Sequence, residues 1–187
     1  LPGEKVRLLL DSVDPQQFRP RHAWPAAMLQ TWRQRLSLPA DRPIVAYLGL
    51  LAPYQGIDLL LQAVQHLCPA RRSRQAQTPH FLVMGFPFVE RYRQMAAQLG
   101  VSDCVTFTGT VPYADAPRYL ALASLAVSPK LPGSEGSGKL LPYMAAGLPV
   151  VAVESPAARD YLGSAGYYAA PEPGALAATL HQALTDA

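Results

Sequence analysis

Charge is scarce in this chain. Asp, Glu, Lys and Arg make up 16% of its 187 residues, against 50% for hydrophobic ones. That balance excludes disorder, which needs too little apolar surface to form a core. Cysteine is scarcer still: Cys68 and Cys104 are the only two. They cannot make a disulfide framework and read as small buried apolar residues. Four histidines, His22, His66, His80 and His181, show neither H-x-x-x-H nor Cys–His spacing, which argues against a zinc site. No stretch approaches the ~20 uncharged apolar residues of a membrane span, and the first residues lack a signal-peptide layout. The segment reads as soluble. Net charge is +3, and its densest cluster, Arg71, Arg72 and Arg74, lies in the polar run ARRSRQAQTPH. A nucleic-acid patch needs wider basic clustering with aromatics, so a solvated loop is expected there. There is no Asp-x-Asp motif for a metal–nucleotide complex and no G-x-S-x-G nucleophile elbow.

What the chain does have is alternation. Ile44–Leu48, His80–Met84, Val105–Phe107, Leu125–Val127, Val150–Val153 and Tyr167–Ala169 are short, β-rich apolar runs of the buried parallel type. Segments of helical spacing separate them at 57–67, 89–99, 114–123, 140–146 and 156–162. Two more helices are expected, at 26–36 before the first strand and at 175–183 after the last. The pattern predicts an α/β fold, a doubly wound, Rossmann-like open parallel sheet of about six strands. One domain fits the length. Residues 23–187 form it, while 1–22, VRLLL followed by the turn-rich DSVDPQQFRP, read as the end of something preceding and a connector. In such folds ligands sit beyond the carboxyl ends of the strands, at the switch in strand order. The loops to watch are 49–56, 85–88, 109–112, 128–138 and 154–156.

The segment from Ser124 to Val153 is the most telling of these. An apolar strand delivers a loop with Gly133, Glu135, Gly136 and Gly138 to the start of a short helix. Unpaired N–H groups and a positive dipole end suit such a place to a phosphate-bearing ligand. The glycines run G-x-x-G-x-G, the wrong order for the dinucleotide fingerprint. Gly133 to Leu140 matches a Walker A loop until its last place, where Leu140 lacks the hydroxyl that would bind Mg²⁺.

A broader match runs along nearly the whole sequence. DSVDPQQFRP, IVAYLGLLAPYQGIDLLLQAV, FLVMGFP, VTFTGTVPYADAPRYLALASLAVSP, SEGSGKLLPYMAAGLPVVA and PEPGALAATLHQAL occur in the order of one family's motifs. The chain resembles the C-terminal, donor-binding domain of the GT-B glycosyltransferases of group 1, the retaining family 4. The resemblance implies transfer of a sugar from a nucleotide-diphosphate sugar, UDP-, GDP- or ADP-linked, with retention and without metal. It implies no further cofactor. The acceptor would bind an N-terminal domain beyond this sequence. It also implies cytoplasmic work, in some members at a membrane surface.

Carried over by position, Glu135 falls on the first Glu of the family's two-glutamate signature, which contacts the donor sugar's hydroxyls and is the catalytic candidate. Gly136, Ser137, Gly138, Lys139 and Leu140 follow it as donor contacts. Gly49, Gln55 and Gly56 occupy the phosphate loop, Gly85 and Phe86 line the same cleft, and Gly109, Thr110 and Val111 occupy the nucleobase loop. Three positions depart from the pattern. Pro142 stands where the second, ribose-binding Glu is expected, Leu50 replaces the phosphate-loop Arg, and Gln55 replaces its Lys. Lys139 and Lys130 are the candidate replacements, with a solvated surface role as the alternative for Lys139. A second reading therefore stays open: a nucleotide-binding or scaffold domain that kept the fold and lost catalysis.

Overall fold

The computed structural model describes residues 11–68, 78–133 and 136–186. The opening VRLLL, most of the polar loop with its arginine cluster, and Glu135 lie outside them. Six strands form one all-parallel sheet: β1 (Ile44–Leu48), β2 (His80–Met84), β3 (Val105–Gly109), β4 (Leu125–Ser128), β5 (Val150–Val153) and β6 (Tyr167–Ala169). Their order is β3-β2-β1-β4-β5-β6, so the direction of winding reverses between β1 and β4. That is the doubly wound arrangement, and it puts the switch point at the ends of those two strands.

Among the described residues seven α-helices connect and cover the sheet: α1 (Ala26–Arg35), α2 (Ile57–Leu67), α3 (Val89–Gln98), α4 (Ala116–Leu120), α5 (Leu140–Ala145), α6 (Pro156–Leu162) and α7 (Pro173–Asp186). Because strand side chains alternate, Val45 and Tyr47 enter one core layer with Leu60 and Val64 of α2 and Leu176 and Leu180 of α7. Ile44 and Ala46 enter the other, with Leu120, Leu140 and Tyr143. Burial on both faces is why the strands read as unbroken apolar runs.

Two helices depart from expectation. The expected 114–123 helix is only Ala116–Leu120. Ahead of it Asp115 takes the cap position. Beyond it Leu122 and Ala123 donate to Tyr119 and Leu120, and these tight bonds close the turn. The last helix starts earlier than expected, at Pro173, where a proline's missing N–H costs nothing. The segment before α1 is packed as well. Phe18 is wholly buried in the second core layer, edge-on to Tyr113 at 5.4 Å between ring centroids. The packed unit thus includes part of the segment expected to be a connector.

Among the described residues no helix is long and apolar enough to cross a membrane.

Candidate functional site

Three loops meet at the carboxyl ends of β1, β2 and β4, and two glycines let them touch. At Gly85, after β2, an added Cβ would lie 1.9 Å from the carbonyl oxygen of Gly49. At Gly56, just before α2, it would lie 1.9 Å from the carbonyl oxygen of Pro129. Only glycine permits such an approach of backbone to backbone, and Gly56 also has φ +75°, in the left-handed region. Hydrogen bonds tie the loops further. The amide of Leu51 donates to Phe86 O at 2.8 Å, that of Gly85 to Gly109 O at 2.9 Å, and that of Leu131 to Tyr54 O at 3.1 Å.

Lys139 stands immediately before α5 and sends its side chain across the switch point. Its Nζ donates to Gln55 Oε1 at 2.6 Å and to Tyr47 Oη at 3.2 Å, and it lies 4.4 Å from the centroid of the Tyr47 ring. Gln55 and Tyr47 are both buried. Taking an ammonium out of water disfavours its charged form. Burial, with a smaller contribution from the Lys130 charge, lowers Lys139 from the ordinary lysine value to about 7. Tyr47 Oη gives its own proton to Leu50 O at 2.7 Å, so it meets the amine as an acceptor. Burial holds this phenol well above its usual range.

On the other side of the loop, Lys130 Nζ donates to Gly136 O at 2.7 Å, and the hydroxyls of Ser128 and Ser137 lie 3.4 Å apart. A small hollow lies here, at the ends of β4 and β5, lined by Ser128, Lys130, Ser137 and Ser155 among others. A wider groove beside α1 and Leu122 lies at the amino ends of the strands and gathers none of the glycine loops.

The sequence-predicted residues fall out as follows. Gly49, Gln55, Gly56, Gly85 and Lys139 come together around the switch point. Phe86 is 51% exposed beside them. Gly109, Thr110 and Val111 continue from β3, joined to the cluster through the Gly85–Gly109 bond. Gly136 and Gly138 are exposed, and Ser137 is buried. Leu140 is wholly buried in the core, and its amide donates to Ser137 O. Its place is in the packing beneath the loop. Pro142 occupies the third position of α5, inside the first turn where proline is tolerated.

Four residues that sequence reasoning passed over belong to this place. Tyr47 was hidden in an aliphatic run, although a hydroxyl in a buried strand must find a partner. Tyr143 Oη accepts from the amide of Leu48. Tyr161 Oη donates to Asp11 Oδ2 at 3.1 Å. That carboxylate lies 3.3 Å from where a Cβ on Gly138 would be, and Tyr161 Oη lies 3.8 Å from the same point at Gly136. Asp11 and Tyr161 therefore flank the glycine loop from a distant part of the chain.

Among the described residues no three His, Cys, Asp or Glu side chains gather to hold a metal ion. What the arrangement offers is a crevice with backbone close at hand, one inward amine and neutral donors and acceptors. These are the elements of an anion-binding site.

Known proteins share this architecture. A family model described as "Glycosyl transferases group 1" matches residues 42–186. A GDP-mannose-dependent alpha-(1-6)-phosphatidylinositol monomannoside mannosyltransferase of Mycolicibacterium smegmatis is 33% identical over 160 residues, 82% of this chain and 40% of the relative. Among solved structures, a glycosyltransferase from Rickettsia africae superimposes with a TM-score of 0.83 at 15% identity, covering 97% of this chain and 48% of that one. Anabaena Alr3699/HepE in complex with UDP-glucose gives 0.78 at 20% identity, covering 94% and 46%. The chain thus spans about 40% of the curated relative's length. With the family model matched over residues 42–186 and a relative 33% identical over 160 residues, the chain belongs to the group 1 glycosyltransferases.

Proposed function

We propose that this chain is the donor-binding part of a glycosyltransferase that takes its sugar from a nucleoside-diphosphate sugar. The observation that carries this reading is the meeting of three glycine-bearing loops around an inward lysine at the switch point of the sheet. In the reading, the diphosphate lies between Gly49 and the start of α5. The base lies toward Gly85, Phe86 and the 109–111 loop. The sugar lies toward Gly136, with Glu135 accepting its hydroxyls.

The chemistry follows from that placement. When the bond between sugar and diphosphate breaks, negative charge grows on the leaving phosphate. Fixed N–H groups and a cation in a place shielded from water stabilise that charge more than they stabilise the neutral sugar. Clamping the diphosphate also fixes the direction from which an acceptor approaches. The resemblance adds retention of configuration and independence of metal. The acceptor falls to the rest of the enzyme, which the resemblance implies is an N-terminal domain. Work in the cytoplasm is what the resemblance implies, and an acceptor at a membrane surface fits the phosphatidylinositol in the relative's name.

The alternative, a domain of this fold without catalysis, is favoured by Leu50, Gln55 and Pro142, which replace two cations and a carboxylate of the resembled family. Calorimetric titration with UDP, GDP, ADP and their sugar conjugates, with and without Mg²⁺, tests the first reading. Metal-independent binding that Glu135→Ala weakens mainly for the conjugates is expected. Absence of any nucleotide binding counts against it. Binding by the whole enzyme without sugar transfer would favour the non-catalytic reading. Strictly Mg²⁺-dependent binding of ATP or GTP, titrated alongside, would bring back the Walker A reading of Gly133 to Leu140.

A further inference from the structure

An ammonium has three N–H donors and one positive charge to satisfy. Lys139 gives one N–H to Gln55 and one to Tyr47. Both acceptors are neutral. The Tyr47 ring face adds a weak attraction for the cation, but among the described residues no carboxylate pairs with Nζ. Of the titratable groups that face it, Tyr47, from β1, is a neutral phenol, and Lys130, from the loop after β4, carries a positive charge that repels it. A cation held inward beside neutral acceptors is costly to the empty protein. It becomes favourable once an anion arrives at the third N–H.

We propose that Lys139 is the charged anchor for the ligand's diphosphate, held by Gln55 in the β1–α2 loop where that loop carries no cation of its own. The proposal rests on reading the crevice as a nucleotide-sugar site. The anchor and the loop it serves are 84 positions apart in the chain, so the cation reaches the crevice from the opposite wall.

A proton follows the ligand. In the empty protein the amine is about half protonated near pH 7. A phosphate beside it favours the charged form and raises its pKa. Above pH 7, binding therefore takes up a proton, and affinity falls as pH rises from 7 toward the pKa of the complex. A nucleotide sugar has no titrating phosphate in this range, so the proton uptake reports the amine.

The experiment is calorimetric titration of the chain with UDP-glucose, GDP-mannose, inorganic pyrophosphate and the free nucleosides. It is run at pH 6.5 and 8.5, in two buffers of different ionisation enthalpy. Wild type, Lys139→Met, Lys139→Gln and the double variant Lys139→Met/Gln55→Lys are compared, each checked for native circular dichroism. A charge-assisted contact is worth about 1.5–3 kcal/mol, so the single variants should lose about ten- to a hundredfold in affinity for whichever nucleotide sugar binds. Affinity for the nucleoside should be unchanged, and proton uptake at pH 8.5 should disappear. Gln55→Lys should restore most of the lost affinity by supplying the charge from the loop. Wild-type affinity and proton uptake in both single variants would overturn the proposal and leave the donor-site reading standing. Lysine-dependent binding of pyrophosphate without any binding of nucleotide sugars would do the reverse. Absence of binding by every phosphate-bearing probe would sink both.

Discussion

The amide of Leu48 donates to Tyr143 Oη at 2.7 Å, joining the last residue of β1 to the middle of α5 across 95 positions of chain. The same hydroxyl lies 3.4 Å from Leu48 O and 3.5 Å from Val127 O. One buried phenol thus bridges the ends of both strands that flank the switch point. Burial keeps it well above the usual tyrosine range, so it acts as a neutral donor and acceptor. Replacing Tyr143 with Phe removes the acceptor and keeps the ring. The Leu48 amide then lacks its partner, at a cost of about 1–3 kcal/mol. Equilibrium urea unfolding measures it, and an unchanged midpoint would mean that water takes over the bond.

Gly85→Ala should be far more damaging than its size suggests. The new methyl would meet the Gly49 carbonyl at 1.9 Å, and backbone cannot give way as a side chain can. A loss of about 1–3 kcal/mol or more is expected, with weakened binding of any ligand between the two loops. Gly174→Ala is the control. Its added methyl meets nothing within 4 Å, and it should stabilise α7 by up to about 1 kcal/mol. Thermal melts of the two variants should move in opposite directions.

His80 predicts an acid sensitivity. Burial, with the positive field of Arg42 and then Arg33, lowers its pKa from 6.5 to about 4. A histidine depressed in the fold binds a proton more readily when unfolded, so stability rises with pH between these values. The contribution is complete above about 6.5 and is lost as pH falls toward 4, by roughly 2–3 kcal/mol. His80→Asn keeps a polar group beside Thr106, whose hydroxyl lies 2.8 Å from His80 Nε2. The difference in melting temperature between pH 7 and pH 4.5 should shrink in this variant. An equal difference in both proteins would assign the acid sensitivity elsewhere.

Arg42 fastens the amino ends of three strands. From a buried position its guanidinium donates to Thr78 O and Pro79 O at 2.7 Å each, to Asp103 O at 3.2 Å and to Cys104 Sγ at 3.3 Å. The hydrogen bonds with Cys68 and with Arg42 hold the Cys104 thiol below its ordinary value. Arg42→Ala strips several buried acceptors at once and should cost about 3–5 kcal/mol. Arg42→Lys offers a single nitrogen and should recover only part. Denaturant titration of the pair separates the lost geometry from the lost charge.

The strands were legible because burial on both faces writes them as short β-branched runs, and five of the six expected runs lie within one residue of the observed ends. β3 runs two residues further, to Gly109. Gly49, Gly56 and Gly85 were legible as loop residues, since glycine after a buried strand has few other uses. Their contacts were not. That Gly85 faces Gly49 and Gly56 faces Pro129 depends on which strands are neighbours, and strand order is a tertiary fact. Lys139 shows the same limit. Its type and spacing fit an exposed helix start as well as a phosphate contact, and the direction of its side chain is set by Gln55 and Tyr47. Phe18 was read as connector because prolines and aspartates surround it, yet the pocket against Tyr113 decides its burial.

Beneath the crevice, β1 and β4 share only two registered pairs, Val45 with Leu125 and Ala46 with Ala126, whereas β1 and β2 share five. The sheet is narrowest in backbone bonding where its winding reverses. A molecule held at once by the loop after β1 and by Lys139 before α5 would act as a rivet across that seam. Hydrogen exchange at Ser124, whose amide donates to Ile44 O across the seam, should then slow on ligand binding more than exchange in β2, and the empty protein should open first along this line. The joint that makes room for a guest is also the one a guest would close.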